Sequence, residues 1–210
     1  AQHALTQASE ACNADKQCQS HYGDVVEKAK VVTERLTSLA EQQQSPRVTV
    51  KHPVNQQSMS MTMTAGRFSR VIHTALYSRD AMTLLPILIA NAYAEQYELI
   101  ATTLLFFDHQ QKNSMAEAMH FSVICNEDYQ LLKQQSSSDS VSFLGRDFAS
   151  EYHGLCPAWD NGGVADTYFQ PTVNDVPTLL LSGAFDPVTP PVWAKAASET
   201  LTTAWHVTVN

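Results

Sequence analysis

The sequence predicts an α/β chain: a mostly helical N-terminal stretch interrupted by one β-hairpin, followed by strands of a parallel sheet. Three observations carry this. Apolar residues recur at three- and four-residue spacing from Tyr22 onward. Two alternating runs flank a Pro/Asn/Gln turn in RVTVKHPVNQQSMSMTMT. Near the C-terminus, strand, loop, helix and strand succeed one another in VPTLLLSGAFDPVTPPVWAKAASETLTTAWHVTV, the order of a parallel α/β unit.

The first forty residues read as helical, with Val25, Val26, Ala29, Val32, Leu36 and Leu39 on one stripe. Asp24 and Glu27 lie at the start of that helix, where its dipole favours acids. The polar tract EQQQSP ends it. In the hairpin that follows, Met59, Met61 and Met63 share one face; with no other soft ligands nearby, they read as packing rather than a metal box.

Thr64 is a plausible N-cap for the next segment, which runs from Gly66 to Lys112 as two or three helices. A break falls near Ser78-Arg79-Asp80, and Pro86 sits near the first turn of a helix. MHFSVICNED reads as a short buried strand ending in two acids, and KQQSSSDSVS as a polar loop or an unravelled helix end. A second buried strand, Val176 to Gly183, meets AFDPVTPP; a helix from Val192 to Leu201 and the strand AWHVTV close the chain. No internal repeat is evident.

Composition narrows the function classes. The chain has 210 residues, 44% hydrophobic and 16% charged, which excludes a wholly disordered polymer. A net charge of −8 leaves no basic stripe for a nucleic-acid backbone. No apolar run approaches the roughly 20 residues needed to span a bilayer. The start at Ala1 rather than methionine reads as a processed or trimmed chain.

The four cysteines, Cys12, Cys18, Cys125 and Cys156, lack the CxxC spacing of structural zinc and read as two disulfides, four buried free thiols in a cytosolic protein being the competing reading. Three pairings are formally possible, and the simplest joins near neighbours, Cys12 with Cys18 and Cys125 with Cys156. On a loop-entropy model these closures contribute about 2.4 and 3.7 kcal/mol. Disulfides place the chain in an oxidising compartment, periplasmic or secreted.

The most distinctive local feature is LLLSGAFDPVTPP, an apolar strand leading to Gly183, Asp186 and a proline-stiffened loop. Functional groups of doubly wound sheets sit at the carboxyl ends of strands, where Asp186 falls. Asp-Pro is also a good turn former, so a purely turn-capping Asp186 is the competing reading.

These residues resemble the C-terminal part of α/β-hydrolases of the tripeptidyl-aminopeptidase-like and prolyl-aminopeptidase group, the S33 serine peptidases. MHFSVICNED, GLCPAW and the helical LYSRDAMTLLPILIANA match further landmarks, the last resembling that group's cap; the Cys12/Cys18 segment resembles the start of the cap. The resemblance implies a fragment of an α/β-hydrolase. Residues 1–118 would form a helical cap with its hairpin near 47–64. Residues 119–210 would form the C-terminal core with the last two or three parallel strands, and 127–175 a cap-linked loop.

The same resemblance implies a Ser-His-Asp hydrolase in which Asp186 is the triad acid, orienting the histidine and stabilising its imidazolium. The group's cap supplies acids that bind the substrate's free α-amine, which places Glu127 as the anchor and Asp128 as the second choice. The competing reading of Glu127 is a solvated strand end. No metal or organic cofactor is implied, and the partner is a peptide with a free N-terminus.

The chain departs from the group's pattern at the nucleophile. None of its seven glycines, Gly23, Gly66, Gly145, Gly154, Gly162, Gly163 and Gly183, forms a G-x-S-x-G elbow. His206 lies inside a strand and is a poor candidate for the base. Nucleophile, base and oxyanion donors are therefore expected outside these residues, and the chain alone is expected to be inactive. Its unfinished sheet is expected to self-associate or hold a complementary N-terminal fragment. A non-catalytic binding module derived from the fold, and an esterase of the same superfamily, are the alternatives.

Overall fold

The computed structural model describes residues 1–132, 143–144, 152–159 and 162–209. Helices α1 (Gln2–Ala14), α2 (Lys16–Tyr22) and α3 (Val25–Glu41) lead into the antiparallel strands β1 (Arg47–Lys51) and β2 (Ser58–Thr62). Helices α4 (Ala65–Ala75), α5 (Arg79–Met82), α6 (Leu85–Tyr93), α7 (Glu98–Ser114), α8 (Glu117–Asn126) and α9 (Tyr129–Leu132) follow. The chain closes with β3 (Thr178–Gly183), α10 (Pro191–Ser198) and β4 (Ala204–Val209). The two C-terminal strands pair in parallel, as the strand–helix–strand order requires, with Leu179 opposite Trp205 and Leu181 opposite Val207.

The helical stripe is buried at four of its six positions, Val26 and Leu39 being half-buried. Val25, Ala29, Val32 and Leu36 are buried along α3, and the Asp24 side chain accepts from the Glu27 amide at 3.0 Å as its N-cap. Arg35 donates from both terminal guanidinium nitrogens to the Tyr93 carbonyl at 3.1 Å, satisfying the exposed end of α6 and fastening it to α3. Thr64 caps α4 by accepting from the Arg67 amide, Ser78 caps α5, and Pro86 opens α6. Phe68, Val71, Ile72, Leu85, Ile89 and Ile100 then fill one core with α1, α3 and β1.

The methionine face of the hairpin runs from that core to solvent. Met61 and Met59 stand opposite the buried Val48 and Val50, Met63 is fully buried, and Met59 is exposed. Leu144 also packs into this helical core.

One element is corrected outright. MHFSVIC is not a strand; it lies in the helix α8. Phe121, Ile124, Cys125, Tyr129 and Leu132 recur at helical spacing through α8 and α9. They pack, together with Tyr152, Cys156 and Trp159, into a small cluster, while Met119 and Val123 face out. The expected loop KQQSSSDSVS falls almost wholly outside the described residues.

Cys12 is bonded to Cys18, and Cys125 to Cys156, the near-neighbour pairing. Two disulfides are consistent with an extracytoplasmic location. Among the described residues no helix is long and apolar enough to cross a membrane.

The C-terminal strands were expected to be buried, and they are not. Leu179, Leu181, Trp205, Val207 and Val209, which alternate onto one face of the β3–β4 pair, are 46–66% exposed. Helix α10 packs on both strands. A parallel sheet is ordinarily covered on both faces, and this one carries an open apolar face.

Candidate functional site

Asp186 sits three residues beyond the carboxyl end of β3, in the loop that joins it to α10. Its amide donates to the Gly183 carbonyl at 3.2 Å, closing a turn off the strand. Its carboxylate is held by the loop that follows. Oδ1 accepts the amides of Val188 and Thr189, each at 2.8 Å, and Oδ2 accepts the Thr189 hydroxyl at 2.8 Å. Pro187, Pro190 and Pro191 fix φ through this stretch, and α10 begins at Pro191.

Hydrogen bonding to the charged form holds Asp186 below the ordinary carboxylate range, the Thr189 amide being the main cause, with the Val188 amide and Thr189 hydroxyl adding to it. The loop touches the helical body, since the nitrogen of Ala1 donates to the Pro187 carbonyl. Tyr77, near the end of α4, has its phenol pushed up by burial and then by the negative charge of Asp186. Asp186 therefore faces the α4 side of the molecule.

Glu127 follows α8 directly, its amide donating to the Val123 carbonyl. Its Oε2 accepts a hydrogen bond from the Tyr168 hydroxyl. That bond is the main reason the Tyr168 phenol is pushed up, with the neighbouring acids adding to it. One residue earlier, the Asn126 side chain accepts from the Gly163 amide at 3.3 Å, so the segment around 162–169 lies against the end of α8. Asp128 is exposed, and its carbonyl accepts from Leu131 and Leu132 at the start of α9. Glu127 and Asp186 share no hydrogen bond and are held by different segments.

His206 lies on β4 opposite Leu180, with Nε2 3.0 Å from the Ser182 hydroxyl, as expected of a strand residue. Between α4, α7, α8 and the segment around Tyr152 runs a groove of about 820 Å³, walled by Arg70, His73, Tyr77, Phe107, His120 and Tyr152. His120 Nε2 lies 3.1 Å from the Tyr152 hydroxyl. Burial lowers the pKa of His73, favouring its neutral imidazole.

The sequence singles out Asp186 and Glu127 as candidates but not the residues that hydrogen-bond them, Thr189 and Tyr168. Thr189 was findable, because an acid and a residue three positions on recreate the spacing of a helix N-cap. Tyr168 lies 41 residues from Glu127 and left no local signal.

The chain matches the model of one protein family, described as TAP-like protein, over residues 141–210, a third of its length. That stretch contains β3, Asp186 and its loop, α10 and β4, and is similar to the C-terminal part of TAP-like α/β-hydrolases. No curated protein and no solved structure matches the chain.

Proposed function

We propose that these residues are the cap and C-terminal portion of a periplasmic or secreted serine aminopeptidase, which removes N-terminal residues from peptides through an acyl-enzyme. One observation carries the reading. A carboxylate held ionised by three hydrogen bonds stands just past the carboxyl end of a parallel strand, inside the TAP-like region.

In this scheme Asp186 accepts from the base histidine and keeps it in the tautomer whose other nitrogen faces the serine. As the serine proton passes to that histidine, the Asp186 charge stabilises the imidazolium. Glu127, kept in place by Tyr168, faces the substrate ammonium and sets which peptide bond reaches the serine; Asp128 adds negative charge nearby. Serine, histidine and oxyanion donors come from outside these residues.

The open apolar face of β3 and β4 fits this reading, because further strands and helices of a hydrolase core would cover it. Without them the chain self-associates or binds a complementary N-terminal fragment. Size-exclusion with light scattering tests this: oligomers or strong dye binding are expected, and a clean monomer with little dye binding contradicts it.

Hydrolysis of alanyl and prolyl fluorogenic amides tests the activity. The chain alone gives no turnover; turnover abolished by a serine-directed inhibitor would contradict the proposed division of the triad. A non-catalytic module is the second reading, favoured by the fact that, among the described residues, the hydrogen bonds to the Asp186 carboxylate come from its own loop. An esterase is separated by Glu127→Gln in the active protein, which spares substrates without a free amine if the aminopeptidase reading holds.

A further inference from the structure

We propose that Thr189 is a positioning residue for Asp186, fixing the plane of its carboxylate so that one acceptor position on Oδ2 remains for a histidine. The inference rests on the serine-hydrolase reading and assigns a role to a residue outside the triad.

The geometry supplies the reason. Two amides hold Oδ1, and because that oxygen lies off the Cβ–Cγ axis they already restrain the turning of the carboxyl group. The Thr189 hydroxyl holds the other oxygen at 2.8 Å, so the carboxylate is tied at both oxygens and its plane is set. An ionised carboxylate offers about four lone-pair sites, of which this loop occupies three. The open one is on Oδ2, beside the Thr189 bond.

Each neighbour contributes to the same end. Pro187 and Pro190 restrict the backbone on either side of the two donating amides. Threonine is β-branched, so its χ1 has few alternatives and its hydroxyl is held toward Oδ2 at small entropic loss. All three donors favour the ionised form, which is the form a triad acid needs, and the lowered pKa of Asp186 agrees with this.

The test uses the full chain, with the Asp186 carboxyl followed by carbon-13 NMR during acid titration in the wild type, Thr189→Val and Thr189→Ser. Thr189→Val is expected to move the Asp186 midpoint upward, and Thr189→Ser to return it toward the wild-type position. Exchange protection of the Val188 amide reports whether the loop is retained. An unmoved midpoint in Thr189→Val, or a Thr189→Ser titration like that of Thr189→Val, overturns the inference. If Thr189→Val also loses the loop, Thr189→Ser alone decides, since it keeps the hydroxyl. In the active protein the same pair is expected to lower kcat with little change in KM for Thr189→Val and to restore it for Thr189→Ser. Failure of the hydrolase reading shows separately, as activity indifferent to Asp186→Asn, and leaves the titration result standing.

Discussion

Phe68, Ile72, Leu85 and Ile89 are fully buried in the helical body, whereas the equally apolar Leu179, Leu181, Trp205 and Val207 stand 46–66% exposed on the C-terminal strands. The two regions share a chain and differ in what their elements need. An amphipathic helix has one stripe to cover, and other helices of the same body cover it: α3 meets α6 and α4, and α4 meets α7. A parallel strand has two faces and two edges, and a pair of such strands satisfies neither set. The helical body is thus self-sufficient, and the β3–α10–β4 unit has the surface of a part. That unit also carries Asp186, so the region richest in chemical signal is the one least closed by its own packing.

Core truncations give the largest contrast. Phe68→Ala should destabilise the helical body by about 3–5 kcal/mol, while Leu181→Ala, at a site 66% exposed, should stay within about 0.5 kcal/mol in denaturant titrations. A large loss from Leu181→Ala would mean that the sheet face is covered in solution. The disulfides come next. Replacing Cys125 and Cys156 by serine should cost about 3.7 kcal/mol and replacing Cys12 and Cys18 about 2.4, by the lengths of the loops they close. Equal losses would contradict the entropic account.

A smaller effect, about 1 kcal/mol, is expected from Thr64→Ala at the N-cap of α4, read from the same titrations. The smallest is confined to the Asp186 loop and depends on pH. The folded pKa of Asp186 lies below its ordinary value of 3.8, so its contribution is present above that value and lost as pH falls through the lower folded one. Loop amide protection should therefore fall below about pH 4 in the wild type, and Asp186→Asn should show no such acid step.

Much of the helical body was legible because its cues are local: a stripe on α3, an Asp24 cap, a Pro86 start. The same holds for the parallel pair, where apolar runs flank a loop and helix. The error at α8 has a physical origin. HFSVIC is a short, mostly apolar run, and such a run leaves helix and strand undecided. What selects the helix is contact with Tyr152, Cys156 and Trp159, some thirty residues away, including the Cys125–Cys156 bond. The same distance hid the Tyr168 partner of Glu127. Solvent exposure of β3 and β4 was illegible for another reason, since their residues are those of covered strands.

The central claim is that Asp186 serves as the acid of a serine-hydrolase triad completed from outside these residues. The most direct test is hydrolysis of an alanyl or prolyl amide by the protein that joins this chain to a serine elbow and base histidine. Asp186→Asn should lower kcat by about 10⁴-fold while the fold, followed by circular dichroism, is retained. Undiminished turnover in Asp186→Asn would contradict the account.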